Sequence, residues 1–251
     1  MSRLQPRLTK QQKRQIRIEQ RESRNKLKLV DIIPLTSNQR RAFNSYYEDK
    51  NLFLHGIAGT GKTFISSYLA IKDVEREYYD KLIFYRSAVP SRDMGFMPGN
   101  IKEKTRLYEA PYYAIFQRLY GRGDAYEILK QKELVEFEST SYVRGITIED
   151  AVVIVDEVQN LSPQELNSLI TRIGENCRVV FCGDIRQTDL TKRHDPTGLI
   201  DFYKIVQGMS CFDVVEFGAE DIIRSSLVKE YIQTRMRLED EGKISAISHY
   251  A

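Results

Sequence analysis

Residues 51–63 read Asn51-Leu52-Phe53-Leu54-His55-Gly56-Ile57-Ala58-Gly59-Thr60-Gly61-Lys62-Thr63, and this stretch decides the fold. Its last eight residues fit GxxxxGK[ST], directly after the apolar run 51–55 and directly before a helical run through Phe64, Ile65, Tyr68 and Leu69. Strand, glycine-rich loop and helix in that order form an anion cradle. The glycines let backbone N–H groups point inward, and the helix N-terminus adds partial positive charge. In such a loop the backbone of Gly56, Ile57, Ala58, Gly59, Thr60 and Gly61 surrounds the phosphates of ATP, Lys62 reaches the β- and γ-phosphates, and the Thr63 hydroxyl ligates Mg2+. A chance match in a chain of this length is on the order of one in a hundred at average residue usage. A tight glycine turn without a ligand is the alternative, and the strand-loop-helix setting counts against it.

Outward from the loop, further apolar strands alternate with helical patterns: KLIFY (81–85), AVVIVD (151–156), RVVFCG (178–183) and FDVVEF (212–217). Continuous apolar runs between helices predict an α/β fold with a parallel sheet covered by helices on both faces. The helix after Leu161 has the clearest start, with Ser162 as N-cap, Pro163 first and Glu165 closing a capping box. Leu166, Leu169, Ile170 and Ile173 then recur on one face. Residues 86–147 are the least regular part and are expected to form an insertion of loops, a helix near 111–121 and short strands.

VVIVD sets Asp156 at the C-terminal end of a buried strand, the edge at which ligands bind in open α/β sheets. Beside a phosphate loop this carboxylate is expected to hold the magnesium, with a helix-capping or salt-bridged aspartate as the alternative. Glu157 can orient or deprotonate the attacking water, a task closed to a metal-bound Asp156. RVVFCGD ends another strand at Asp184, and Gln187 three residues on is read as a sensor of phosphate state; a turn-forming Gly-Asp is the competing reading.

The composition, 41% hydrophobic and 29% charged, is that of a soluble globular protein, and no apolar run approaches the roughly 20 residues needed to span a bilayer. No membrane partner is therefore expected, and a cytoplasmic location fits. Cys177, Cys182 and Cys211 show no CxxC spacing, and His55, His194 and His249 are far apart, which suggests neither a disulfide framework nor a zinc site. Residues 1–30 carry ten Lys/Arg against two Glu, a net +8 in a chain of net +3, so the remainder carries −5. Such an arm fits a polyanion partner or a solvated tail. The expected division is a mobile or helical arm over 1–33 and one domain over 34–251.

LFLHGIAGTGKT, RSAVPSRDMGFMPGNIKEK, RGITIEDAVVIVDEVQNLSPQELNSLITRIG and GDIRQTDL, in that order over about residues 35–235, closely resemble the PhoH family of ATPases in its short phage form. The resemblance implies a RecA-like P-loop NTPase fold related to superfamily 1 helicases, with an extra strand between the phosphate-loop strand and the Asp156 strand. It implies that Gln39 recognises adenine and that the YRSAVP segment at 85–90, with Arg86, lies where helicases touch a nucleic-acid backbone. An ordinary surface glutamine and a solvated strand end are the alternatives. It further implies a head-to-tail homo-oligomer, a hexameric ring, in which a neighbouring subunit completes the site with an arginine; Arg224 matches the family's segment, and Arg144 and Arg186 are other candidates. Ser225-Ser226 stands where the family usually has His-Pro, and RGIT where it has RGRT.

The resulting expectation is a magnesium-dependent ATPase coupled to single-stranded RNA or DNA, with helicase-like remodelling implied by the resemblance alone. Two rivals share the loop: a small-molecule kinase, which normally needs no water-activating Glu157, and an ATP-switched nucleic-acid-binding protein without a motor cycle. A nuclease is disfavoured because no second acidic cluster with metal-ligand spacing stands out.

Overall fold

The computed structural model describes residues 27–87, 101–140, 147–185 and 196–244. In chain order these form α1 (Ser37–Tyr47), β1 (Asn51–Gly56), α2 (Lys62–Glu75), β2 (Lys81–Arg86), α3 (Ile101–Tyr120), α4 (Ala125–Gln131), β3 (Val135–Ser139), β4 (Ala151–Asp156), α5 (Pro163–Ile170), β5 (Cys177–Gly183), α6 (Pro196–Gly208), β6 (Phe212–Phe217) and α7 (Ser226–Asp240). The six strands make one sheet in the order β3-β2-β4-β5-β1-β6, and every pairing is parallel.

The apolar runs divide between two cores because side chains alternate across a strand. Leu52, Leu54, Leu82, Phe84, Val152, Ile154, Val180 and Cys182 face a cluster that includes residues of α1, α2, α3 and α4. Phe53, Ile83, Val153, Val155, Val179 and Phe181 face the other side, against Leu166 and Leu169 of α5 and Leu199, Phe202 and Val206 of α6. The Phe181 ring lies 5.8 Å from Phe53 and 5.0 Å from Phe202. The start of α5 is as its sequence demands: Ser162 accepts from the Glu165 N–H while the Glu165 side chain accepts from the Ser162 N–H.

Within 86–147 the described residues are more regular than expected. The helix near 111 begins ten residues earlier, at Ile101, and carries Pro111 inside it. Tyr112, Phe116 and Leu119 recur one helical turn apart and are fully buried, so the packed face outweighs the proline. β3 is one of the short strands expected there, and it forms an edge of the main sheet. Residues 27–33 also depart from the expected arm, since Leu27, Leu29 and Ile32 pack on the core and the Val30 N–H donates to the Leu119 carbonyl at 2.8 Å. Residues 1–26 lie outside the described residues.

In a parallel sheet all C-terminal strand ends share one edge, here bringing Gly56, Arg86, Asp156 and Gly183 together. β5 lies between β1 and β4, the intervening strand that the resemblance implied.

Candidate nucleotide site

The loop between β1 and α2 is fastened at three points. Ile57 N–H donates to the Phe217 carbonyl on β6, the Thr60 hydroxyl to the Ile57 carbonyl at 2.9 Å, and the Gln39 amide to the Thr60 carbonyl at 3.0 Å. Gly56 has φ +118, and a Cβ there would come within 2.1 Å of the Phe217 carbonyl oxygen, so only glycine brings the two chains this close. Gly61, at φ 84, leads into α2, whose start has no side-chain cap and leaves its first N–H groups facing the loop. Lys62 Nζ donates to the carbonyls of Gly56 at 2.7 Å and Ile57 at 2.8 Å. Burial pushes its pKa down, opposed by the nearby Cys182, Asp184, Glu157 and Asp156.

Asp156 comes to this loop across the sheet edge. Its Oδ1 accepts from the Thr63 hydroxyl at 2.9 Å and its Oδ2 from the Tyr112 hydroxyl of α3 at 3.1 Å. Burial, and then the adjacent Glu157 carboxylate, push the Asp156 carboxyl up to about 6, while Arg86 acts against them. Arg86 ends β2 in register with Asp156, so the residue expected at a nucleic-acid backbone also bears on this carboxylate. Glu157 has φ 54 and ψ 48, left-handed backbone uncommon outside glycine, which turns the chain sharply just after the strand. Gln159 donates to Glu157 Oε2 and, through its own carbonyl oxygen, accepts the Asp184 N–H at 3.1 Å, joining the ends of β4 and β5.

Mg2+ and a triphosphate fit these residues. Thr63 and Asp156 offer adjacent hard oxygen donors, and magnesium usually takes one or two carboxylates together with substrate phosphates. Among the described residues no three His, Cys, Asp or Glu side chains gather into a metal cage of their own.

The structure thus brings together Gly56, Ile57, Gly59, Thr60, Gly61, Lys62, Thr63, Asp156 and Glu157, with Ala58 exposed on the same loop. Gln39 is 2% exposed, with its amide on Thr60 and its carbonyl oxygen accepting the Leu35 N–H, so it braces the loop from beneath. Arg224 is exposed on the segment before α7, where a Cβ added to Gly59 would lie 3.1 Å from its Nε. It therefore stands beside the loop of its own chain. Gln187, Arg144, Arg186, residues 88–90 and the GFMPG sequence at 95–99 lie outside the described residues. Two contributors escaped the sequence reading: Gln159, which the DE-x-QN spacing could have suggested, and Tyr112, which no local pattern marks.

An all-parallel sheet of this order, with the phosphate loop ending one strand and the acidic residue ending a strand two places away, is the RecA-like arrangement of the P-loop nucleoside-triphosphatase class. The family model described as "PhoH-like protein" matches residues 31–235, and the chain belongs to that family. It is similar to "Protein PhoH" of Escherichia coli (strain K12), with 38% identity over 183 residues, 72% of this chain and 51% of the relative. It is also similar to the "PhoH-like protein" of Bacillus subtilis (strain 168), with 32% identity over 199 residues, 79% of this chain and 62% of the relative. The chain thus spans roughly half to three fifths of the length of these relatives. Among solved structures it is similar to unliganded Pif1 from Bacteroides sp (18% identity, TM-score 0.39, 84% of this chain and 46% of that one). The large terminase of a thermophilic bacteriophage in complex with ADP is another (12% identity, TM-score 0.44, 80% of this chain and 50% of that one). Among the described residues no helix is long and apolar enough to cross a membrane.

Proposed function

We propose that this chain hydrolyses ATP in a magnesium-dependent cycle coupled to single-stranded RNA or DNA. The observation that carries the hydrolytic reading is the Thr63–Asp156 hydrogen bond, which joins two positions 93 residues apart beside the Lys62 ammonium. Lys62 would exchange its two loop carbonyls for phosphate oxygens, and the free N–H groups at the start of α2 would take the remaining charge. Thr63 and Asp156 would hold Mg2+, which when bound neutralises charge on the β- and γ-phosphates. Glu157, steered by Gln159, is the base for the attacking water, because the neighbouring Asp156 is committed to the metal.

A basic stretch of net +8 over residues 1–30 supports a polyanionic partner reached by long-range attraction. The resemblance to helicase domains supports single strands, and remodelling of those strands by a homo-oligomeric, hexameric ring is part of the same reading. For Arg224, its nearness to Gly59 favours service to its own chain's loop. An arginine from a neighbouring subunit would then be a different one, with Arg144 and Arg186 as the remaining candidates.

The test is phosphate release from ATP with and without RNA or DNA oligomers, on protein whose assembly mass has been measured. Release that requires Mg2+ and rises with an oligomer is expected. Transfer of phosphate to a small molecule instead of water would favour a kinase, and oligomer binding without stimulated release would favour an ATP-switched binding protein.

A further inference from the structure

Tyr112 has a buried hydroxyl on α3, a helix outside the nucleotide-site motifs, and that hydroxyl is bonded to Asp156 Oδ2 at 3.1 Å. Its ring is fixed: it stacks on Phe84 with centroids 4.1 Å apart and 26° between planes, lies tilted against Phe137 at 5.8 Å, and is fully buried. A phenylalanine would fill the same space, and the Tyr112 hydroxyl offsets the roughly 1–3 kcal/mol cost of its burial through its bond to Asp156. The bond it makes goes to a carboxylate that the proposed reaction needs.

The two oxygens of Asp156 are therefore divided between two helices. Thr63 of α2 takes Oδ1 on the side of the phosphate loop, and Tyr112 of α3 takes Oδ2 from the opposite element. Each carboxylate oxygen keeps a second lone pair, but a cation binding both would have to compete with the Tyr112 donor at Oδ2, so approach through Oδ1, on the Thr63 side, is favoured. Magnesium demands near-ideal octahedral geometry, whereas calcium accepts bidentate carboxylates and a looser, larger shell. We infer that Tyr112 is a positioning residue that sets metal choice at this site, holding Asp156 in a one-oxygen mode that favours Mg2+ over Ca2+. The inference rests on the magnesium-ATP reading above.

The test uses the full chain and a fluorescent, non-hydrolysable ATP analogue, with Mg2+ or Ca2+ titrated at fixed nucleotide. Binding, not turnover, is the readout. Y112F keeps the stacked ring and deletes the donor. Its half-saturating Mg2+ is expected to rise about tenfold, the lower end of the usual cost of losing an outer-shell partner. Half-saturating Ca2+ should move by about twofold or less, because the freed oxygen becomes available to calcium, so the preference for Mg2+ falls. Nucleotide affinity in EDTA should be unchanged. Y120F deletes the same atom from the same helix, losing a 2.8 Å bond to Glu75 instead, and should leave the metal preference alone. F84L keeps the hydroxyl but loosens the ring beneath it, and should shift the preference in the same direction as Y112F. An unchanged Mg2+/Ca2+ ratio in a folded Y112F or F84L protein overturns the inference, as does an equal shift in Y120F. A wild-type protein that binds no nucleotide with Mg2+ instead removes the functional reading on which the inference stands.

Discussion

The Ile223 N–H donates to the Gly59 carbonyl at 3.1 Å, so the segment leading to α7 is tied to the phosphate loop of the same chain. Arg224, the next residue, is thereby held over that loop. Arg224→Ala is expected to lower turnover by about 10³-fold, the lower range for loss of a transition-state arginine. Mixing Arg224→Ala with Lys62→Ala protein should not restore activity, because both defects belong to one chain's loop. Recovery on mixing, measured as phosphate release, would show this arginine serving a neighbour.

Lys62 and Glu157 should separate binding from chemistry. Lys62→Ala removes the charge meant for the β- and γ-phosphates and should weaken nucleotide binding by at least about tenfold. Glu157→Gln keeps the shape and its neighbour Gln159 but takes no proton; ATP should still bind while turnover falls by about 10²–10⁴-fold. Equilibrium binding and single-turnover hydrolysis on the same preparations decide this, and normal hydrolysis by Glu157→Gln removes it as the base.

Gln39 can be tested as a brace against its role as a base reader. With both ends of its amide engaged by Thr60 and Leu35, Gln39→Ala should destabilise the fold by about 1–3 kcal/mol, chiefly by orphaning the buried Thr60 carbonyl. It should weaken ATP and GTP binding alike, through the loop. A loss confined to ATP would make it a reader of adenine.

The N-terminal stretch should divide at residue 26. Removing 1–26 deletes nine of the ten early Lys/Arg, leaving Lys28, and should weaken binding to a single-stranded oligomer at low salt while sparing basal ATPase activity. Removing 1–33 also strips Leu27, Leu29 and Ile32 from the core and should lower the melting temperature. Unchanged oligomer affinity after the shorter deletion would make the stretch a solubility tail.

What the chain announces in its sequence is what depends on near neighbours. Glycines at fixed offsets, five apolar strands and the Ser162–Glu165 box each act over a few residues, and each is found where its pattern puts it. β3 is harder to read because Glu136 and Glu138 break the apolar run of an edge strand, and α3 because Pro111 suggests a helix start in what is its interior. Tyr112 is invisible for a different reason. Its partner is 44 residues away, and only the packing of α3 against the sheet joins them. Gln39 and Arg86 stand out in the sequence only through the family resemblance, and their pairing with Thr60 and Asp156 arises from tertiary structure alone.

The order of strands also governs when this site can exist. A chain extended only as far as Asp156 already owns both halves of the nucleotide machinery, yet the strand that must lie between them, residues 177–183, has still to be made. Thr63 and Asp156 are then two ends without a middle. Shortened proteins that stop before residue 177 should therefore retain every hallmark residue of the loop and the acidic pair and be unable to grip a nucleotide.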